Sequence, residues 1–236
     1  MRHAGRITRE VLELVRDAVK PGVTTLDLER VATDRLKELG VKAAFKGYHG
    51  YPCALCTSVN SEVVHGIPSA KRVLKEGDIV SVDFGVVVDG YYGDSAITVP
   101  VGKIDAGVAK LLSATERSLK AAIAIVQPGA TLGDIGAAVQ GVVEKEGFSV
   151  VRDFVGHGIG VRMHEDPQVP NFGETGKGMK LKAGMVIAIE PMVNAGGPEV
   201  TVLEDGWTAV ASDGSMSAHF EHTVAVTENG ARILTE

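Results

Sequence analysis

Apolar residues near the N-terminus recur at helical spacing. Ile7, Val11, Leu14, Val15 and Ala18 share one face of RHAGRITREVLELVRDAVK, with charged residues opposite, which predicts an amphipathic helix. Pro21-Gly22 ends it. Thr24 and Asp27 have capping-box spacing, each side chain serving the other residue's backbone N–H. They open a second helix carrying Leu28, Val31, Ala32 and Leu36 up to Gly40. The pattern then shifts to short apolar runs, and LCTSVN, IVSVDFGVVV and YYGDSAITV read as strands. Helical spacing returns over Leu111 to Val126, and again from Thr131 to Gly147.

The second stretch repeats the first at an offset of 107 positions. Pro21-Gly22 falls on Pro128-Gly129, Thr24 on Thr131, Asp27 on Asp134 and Gly40 on Gly147. Lys75 falls on Lys182, Gly77 on Gly184 and Asp83 on Glu190. This order predicts one domain over 1–236 built of two related halves, about 1–107 and 108–236, with no long linker. Asp27 and Asp134 then read as helix caps. Asp83 and Glu190 instead sit near the ends of apolar runs, at equivalent places in two lobes. Carboxylates that converge near a pseudo-twofold axis repel unless a cation lies between them.

Asp89-Gly90 is a two-residue hairpin signal between two of the apolar runs. That turn sets Asp83 opposite Ala96 and Asp94 opposite Gly85, so the two aspartates share a face on adjacent strands. An unpaired charge inside an apolar run is costly, which favours metal ligation. Further candidates are His157 in VGHGIG, His164 in MHEDP, Glu190 before Pro191, and Glu221 in FEHT. Phe220, His222, Val224 and Val226 share the face opposite Glu221. The glycines around His157 lack the spacing of a nucleotide loop.

Composition narrows the classes. The 236 residues suffice for a full core, and 29 glycines suggest many tight turns. A net charge of −6 without a basic stripe excludes nucleic acid as the main partner. Cys53 and Cys56 form a lone CxxC with no second pair to complete a zinc site, so they read as pocket or core residues. No signal-peptide core or membrane-length apolar run is visible, and a cytoplasmic location is expected.

The ordered set VDFG–GDSA, with its aspartates eleven positions apart, then GHGIG, MHEDP, IEP and FEHT, resembles the short type I methionine aminopeptidases. GYHGYP, VVHGIP and the GW pair at 206–207 fit too, so the resemblance spans the chain. It implies an α/β (α+β) pita-bread fold, pseudo-symmetric around a curved antiparallel sheet. It implies two divalent ions (Co, Mn, Fe(II) or Zn) held by Asp83, Asp94, His157, Glu190 and Glu221, with Asp94 and Glu221 bridging. Such a pair, about 3.5–4 Å apart, activates water and polarises a carbonyl. Glu190 would serve as general base, His164 would stabilise the oxyanion, and His65 would contact the substrate near the scissile amide. A methionine slot would be lined by Tyr48, Tyr51, Cys56, His65 and Trp207, with Phe45, Met163 and His164 adjoining. The implied partners are N-termini of nascent proteins and peptides, for a monomer that binds neither nucleic acid nor membrane. Contact with the ribosome is left open.

Three positions depart from common members of that family: Phe45 for a small residue, Met163 for phenylalanine, and His219 for glutamine. The first two bear on slot shape and the third on the surroundings of the metals. Proline peptidases of the same fold usually carry a large N-terminal domain, whereas only one short helix precedes the first repeat here. Type II enzymes carry an insertion in the C-terminal half, whereas 25 residues separate His164 from Glu190. Non-catalytic relatives typically lose ligands, and all five are present here.

Overall fold

A computed structural model describes residues 1–236. The first half runs α1 (Arg2–Ala18), α2 (Thr25–Leu39), β1 (Lys42–Ala43), β2 (Leu55–Val59), β3 (Glu62–Val64), β4 (Ile79–Val88) and β5 (Tyr91–Pro100). The second opens with α3 (Ala106–Ile125) and α4 (Leu132–Lys145). There follow β6 (Ser149–Val150), β7 (Gly156–Gly158), β8 (Glu165–Val169), β9 (Val186–Ile189) and β10 (Met192–Asn194). The chain closes with β11 (Val200–Val202), β12 (Ala209–Ala211), β13 (Ser217–His219), β14 (Glu221–Thr227) and β15 (Gly230–Ile233).

A nine-stranded antiparallel sheet ordered β1-β4-β5-β14-β9-β7-β8, with β2 on β4 and β15 on β14, forms the body. Its alternation decides which face carries the site. Val80, Val82, Phe84 and Val86 of β4 turn to Val11, Leu12 and Val15 of α1 and to Leu28, Ala32 and Leu36 of α2. Ile187 and Ile189 of β9, with Val224 and Val226 of β14, turn to Leu119 and Ile123 of α3 and to Ile135 and Val139 of α4. Each buried Val, Leu, Ile or Phe among them contributes roughly 1.5–3 kcal/mol. The residues in between, among them Ser81, Asp83, Gly85, Asp94, Ala96 and Thr98, occupy the opposite face.

The repeat is visible in the backbone. Thr24 bridges Val73, and Thr131 bridges Lys180. Gly22 N–H donates to Leu74 O at 2.8 Å, and Gly129 N–H to Leu181 O at 3.0 Å. Thr24 with Asp27 and Thr131 with Asp134 both form complete capping boxes. Gly77 and Gly184 both adopt the left-handed conformation, at φ 91° and 94°. The correspondence stops where the strands diverge. Asp83 lies in the middle of β4, whereas Pro191 ends β9 before it can match β4 in length.

Two expectations about helices need correction. The buried stripe of α1 holds Leu12 rather than Leu14, which is 42% exposed. The stripe runs Ala4, Ile7, Thr8, Val11, Leu12 and Val15, and Leu14 projects beside it. Thr8, polar by sequence, is buried because its hydroxyl donates to Gly93 O at 3.1 Å. The third helix starts at Ala106, five residues before Leu111, with Asp105 as N-cap residue. The expected boundary at 107/108 therefore falls inside the first turn of α3. No helix is long and apolar enough to cross a membrane.

Candidate metal centre

One row of the sheet assembles most of the acidic site. Cys56 of β2 pairs with Asp83 of β4, Asp83 with Ala96 of β5, and Ala96 with Glu221 of β14. Continuing the β14–β9 register one step beyond Ile189 sets Glu190 across from Glu221. Residues directly opposite one another project to the same face, so Asp83, Glu221 and Glu190 converge above the small Ala96. Asp94 lies two positions from Ala96 on the same face, opposite Gly85, as the Asp89-Gly90 turn requires. Gly85 is needed there. A Cβ would lie 2.9 Å from Phe45 Cε1 and 3.2 Å from Asp94 Oδ1.

His157 joins from β7, with Nε2 3.8 Å from Asp94 Oδ2 and 3.6 Å from Glu190 Oε1. Its Nδ1–H donates to Gly158 O at 2.9 Å, which leaves the Nε2 lone pair facing the carboxylates. Gly158 admits the close passage of β8, because a Cβ would lie 2.3 Å from Asp166 O. Hydrogen bonds tie the strands beneath the site. Thr223 Oγ1 donates to Asp94 O at 2.7 Å and accepts from Asp94 N–H at 3.1 Å. Asn171 Nδ2 donates to Glu190 O at 3.0 Å.

The electrostatics are those of a cation site. Burial raises all four carboxyls, and their neighbours add to it: Asp94 and Glu190 act on Asp83, and Asp94 acts on Glu190 and Glu221. Asp94 itself is pushed up to about 7 by burial. Burial pulls His157 down to about 4, with His164 adding to the effect. Asp83 Oδ1, Asp94 Oδ1 and Glu221 Oε1 are buried without a hydrogen-bond partner. Orphaned carboxylate oxygens and a facing imidazole lone pair repel one another unless protons or a cation intervene. Asp94, His157 and Glu221 can each offer one donor atom, all within 4.8 Å of one another. The donor set therefore fits hard or borderline divalent ions.

The acids form the floor of a pocket of about 430 Å³. Every residue expected from the sequence lines it: Phe45, Tyr48, Tyr51, Cys56, His65, Met163, His164 and Trp207, beside Asp83, Asp94, His157, Glu190 and Glu221. Trp207 packs edge-on to Tyr51 at 5.1 Å, and His65 packs edge-on to Phe154 at 5.4 Å. His65 holds a left-handed backbone, φ 62°, unusual for a side chain of its size, and burial lowers its pKa to about 4. Cys53 and Cys56 are free thiols.

Two contributions were not legible from the sequence. His49 adopts a turn conformation at φ 47° and lines the pocket. Tyr48, read as a slot residue, also places its hydroxyl 2.7 Å from His164 Nδ1. His222 turns away from the acids, as expected, with Nδ1 2.9 Å from Thr235 Oγ1.

A peptide-sized pocket over a buried acid–imidazole cluster is the site of a metallopeptidase. The chain belongs to metallopeptidase family M24, which it matches over residues 1–228. Within that family it is similar to methionine aminopeptidases. The methionine aminopeptidase of Clostridium acetobutylicum is 51% identical over 235 residues, covering 100% of this chain and 94% of that protein. Methionine aminopeptidase 1 of Bacillus subtilis is 52% identical with the same coverage. The crystal structure of the Thermotoga maritima methionine aminopeptidase superposes with a TM-score of 0.99 at 52% identity, covering 100% of this chain and 95% of that one. The architecture is thus the pita-bread fold. The prolidase of Pyrococcus furiosus, 23% identical with a TM-score of 0.79, shares that fold.

Proposed function

We propose that this enzyme hydrolytically removes N-terminal methionine from proteins and peptides whose second residue is small, using two divalent cations. The observation that carries this reading is the row of buried, unpartnered carboxylate oxygens beneath an apolar slot. Asp83, Asp94, His157, Glu190 and Glu221 would hold the ions, Asp94 and Glu221 serving both. Four carboxylates and one imidazole suit Mn, Fe(II), Co or Zn. Bound there, the ions polarise the scissile carbonyl and make water a nucleophile at neutral pH.

The side chains do the rest. Glu190 takes the proton of the attacking water and returns it to the leaving amine, a role suited to a carboxyl raised by burial and by Asp94. His164 donates to the oxygen that becomes negative at the scissile carbonyl. His65 contacts the substrate beside the scissile amide. Tyr48, Tyr51, Cys56 and Trp207, with Phe45 and Met163, grip the unbranched thioether. Such a slot discriminates by shape, since one methylene is worth only about 1–3 kcal/mol. A bulky second residue displaces the carbonyl, and about 1 Å of misplacement costs on the order of 10²-fold in rate. The two halves act as one catalytic domain, because each supplies part of the ligand set.

The test is kinetic. Metal-free protein is reloaded with one cation at a time and assayed on Met-X-Ser peptides, X running from Gly to Leu, and on Leu- and Pro-containing controls. Rapid cleavage confined to methionine before Gly, Ala or Ser is expected. Comparable kcat/KM across the series, or preference for Xaa-Pro bonds, overturns the reading.

A further inference from the structure

Tyr48 stands in a short turn, Tyr48–Gly50, between two left-handed positions, Gly47 at φ 86° and His49 at φ 47°. The turn is closed on itself. Tyr48 N–H donates to Phe45 O at 2.9 Å, Gly47 N–H to Tyr51 O at 2.8 Å, and Tyr51 N–H to Tyr48 O at 2.9 Å. The phenol is thereby carried to a residue 116 positions later, with its oxygen 2.7 Å from His164 Nδ1. His164 lies at the exposed rim of the pocket. Its ring also lies against that of His157, with centroids 4.2 Å apart.

A neutral imidazole carries one N–H, and a hydrogen bond at one ring nitrogen decides which one. We infer that Tyr48 is a positioning residue: its O–H donates to His164 Nδ1, which fixes the Nε2–H tautomer and makes Nε2 the ring's donor. This rests on the reading of His164 as the donor to the developing oxyanion. The opposite tautomer would offer a lone pair to a negative oxygen, which repels it. The two parts of Tyr48 then do different work. The ring packs in the slot, and the hydroxyl sets a histidine from another part of the chain. Tyr48→Phe separates them, because it keeps the ring and removes only the donor.

The experiment uses zinc-loaded, diamagnetic enzyme with ¹⁵N-labelled histidine. Two-bond ¹H–¹⁵N correlations assign the tautomer of His164 in wild type and in Tyr48→Phe. The expected result is Nε2–H in wild type and loss of that pure tautomer in the variant. With it, kcat should fall about tenfold while KM changes less than about twofold, the size of one lost hydrogen bond to a group that remains. In a His164→Ala background, Tyr48→Phe should add nothing. An Nδ1–H tautomer in wild type overturns the inference, as does an undiminished Tyr48→Phe effect on kcat in the His164→Ala background. An Nε2–H tautomer that Tyr48→Phe abolishes, combined with full activity of His164→Ala, upholds the contact and removes His164 from the proposed mechanism instead.

Discussion

His219 Nε2 lies 3.9 Å from Glu190 Oε2, while the other oxygen of that carboxylate faces His157. Glu190 is thus flanked by two imidazoles. His219 is fully buried, its Nε2 has no hydrogen-bond partner, and burial lowers its pKa to about 3. An N–H at that place attracts the carboxylate and can orient it toward the proposed ions, and neighbours of this kind tune metal affinity by about 10–100-fold. His219→Leu should therefore release metal to a chelator at roughly tenfold lower concentration, and His219→Gln, which keeps an N–H donor, should restore retention. Metal counting after graded chelator dialysis checks this; equal retention in wild type and His219→Leu contradicts it.

The acid cluster sets a pH dependence in the metal-free protein. Asp94 titrates at about 7 when folded, against an ordinary 3.8, and Asp83, Glu190 and Glu221 are raised with it. The folded state then holds protons that the unfolded chain gives up. The associated stability is fully present below the ordinary carboxylate range and is lost as pH rises toward about 7. The buried His65, His157 and His219, lowered from 6.5 to about 4, 4 and 3, work the other way, so the effect is read as a difference. Metal-free Asp94→Asn should gain Tm relative to wild type as pH rises from the ordinary carboxylate range to about 7, and a divalent cation should reverse that order. Calorimetry with and without chelator decides, and a metal-free Tm difference between wild type and Asp94→Asn that does not change with pH contradicts the assignment.

Ligand stoichiometry gives a third test. Asp94 and Glu221 stand on neighbouring strands of the ladder, with donor atoms within 4.8 Å of each other and of His157, and the proposed function has them serve both ions. Asp94→Ala and Glu221→Ala should each lose both equivalents of metal and all activity, whereas Asp83→Ala should lose chiefly one. Two equivalents retained by Asp94→Ala would remove its bridging role.

Much of this centre was legible because a turn fixes a register. Once Asp89-Gly90 is a two-residue turn, no freedom remains in where Asp83 and Asp94 stand, and the ladder agrees residue by residue. The capping boxes were legible for the same local reason. Contacts between distant segments left no such trace. Tyr48 and His164 meet through a turn and a sheet edge whose relative placement no spacing encodes. Leu12 and Leu14 are alike in hydropathy, and only the seat of α1 on the β4–β5 hairpin decides which is buried.

A carboxylate far from the acids also shapes the slot. Glu29 of α2 accepts from Ala54 N–H at 2.8 Å and Leu55 N–H at 3.1 Å, pinning the start of β2, the strand that carries Cys56. Glu29→Ala leaves two buried amides unpaired and should cost on the order of 3 kcal/mol in urea denaturation. A loss within the few tenths expected of an exposed site would show that solvent replaces the carboxylate.

The seam between β5 and β14 is short: Glu221 pairs with Ala96 and His222 with Ser95, and Thr223 clips Asp94. Two of the proposed ligands come from one side of it and three from the other. Ions seated there would act as a clasp, closing one repeat onto its twin. Metal starvation then does more than silence the chemistry. It leaves the acids repelling one another across a seam of two backbone pairs stitched by Ser95, Thr98 and Thr223, with the β3–β12 pairing as another join between the repeats, so the seam is where hydrogen exchange should quicken first.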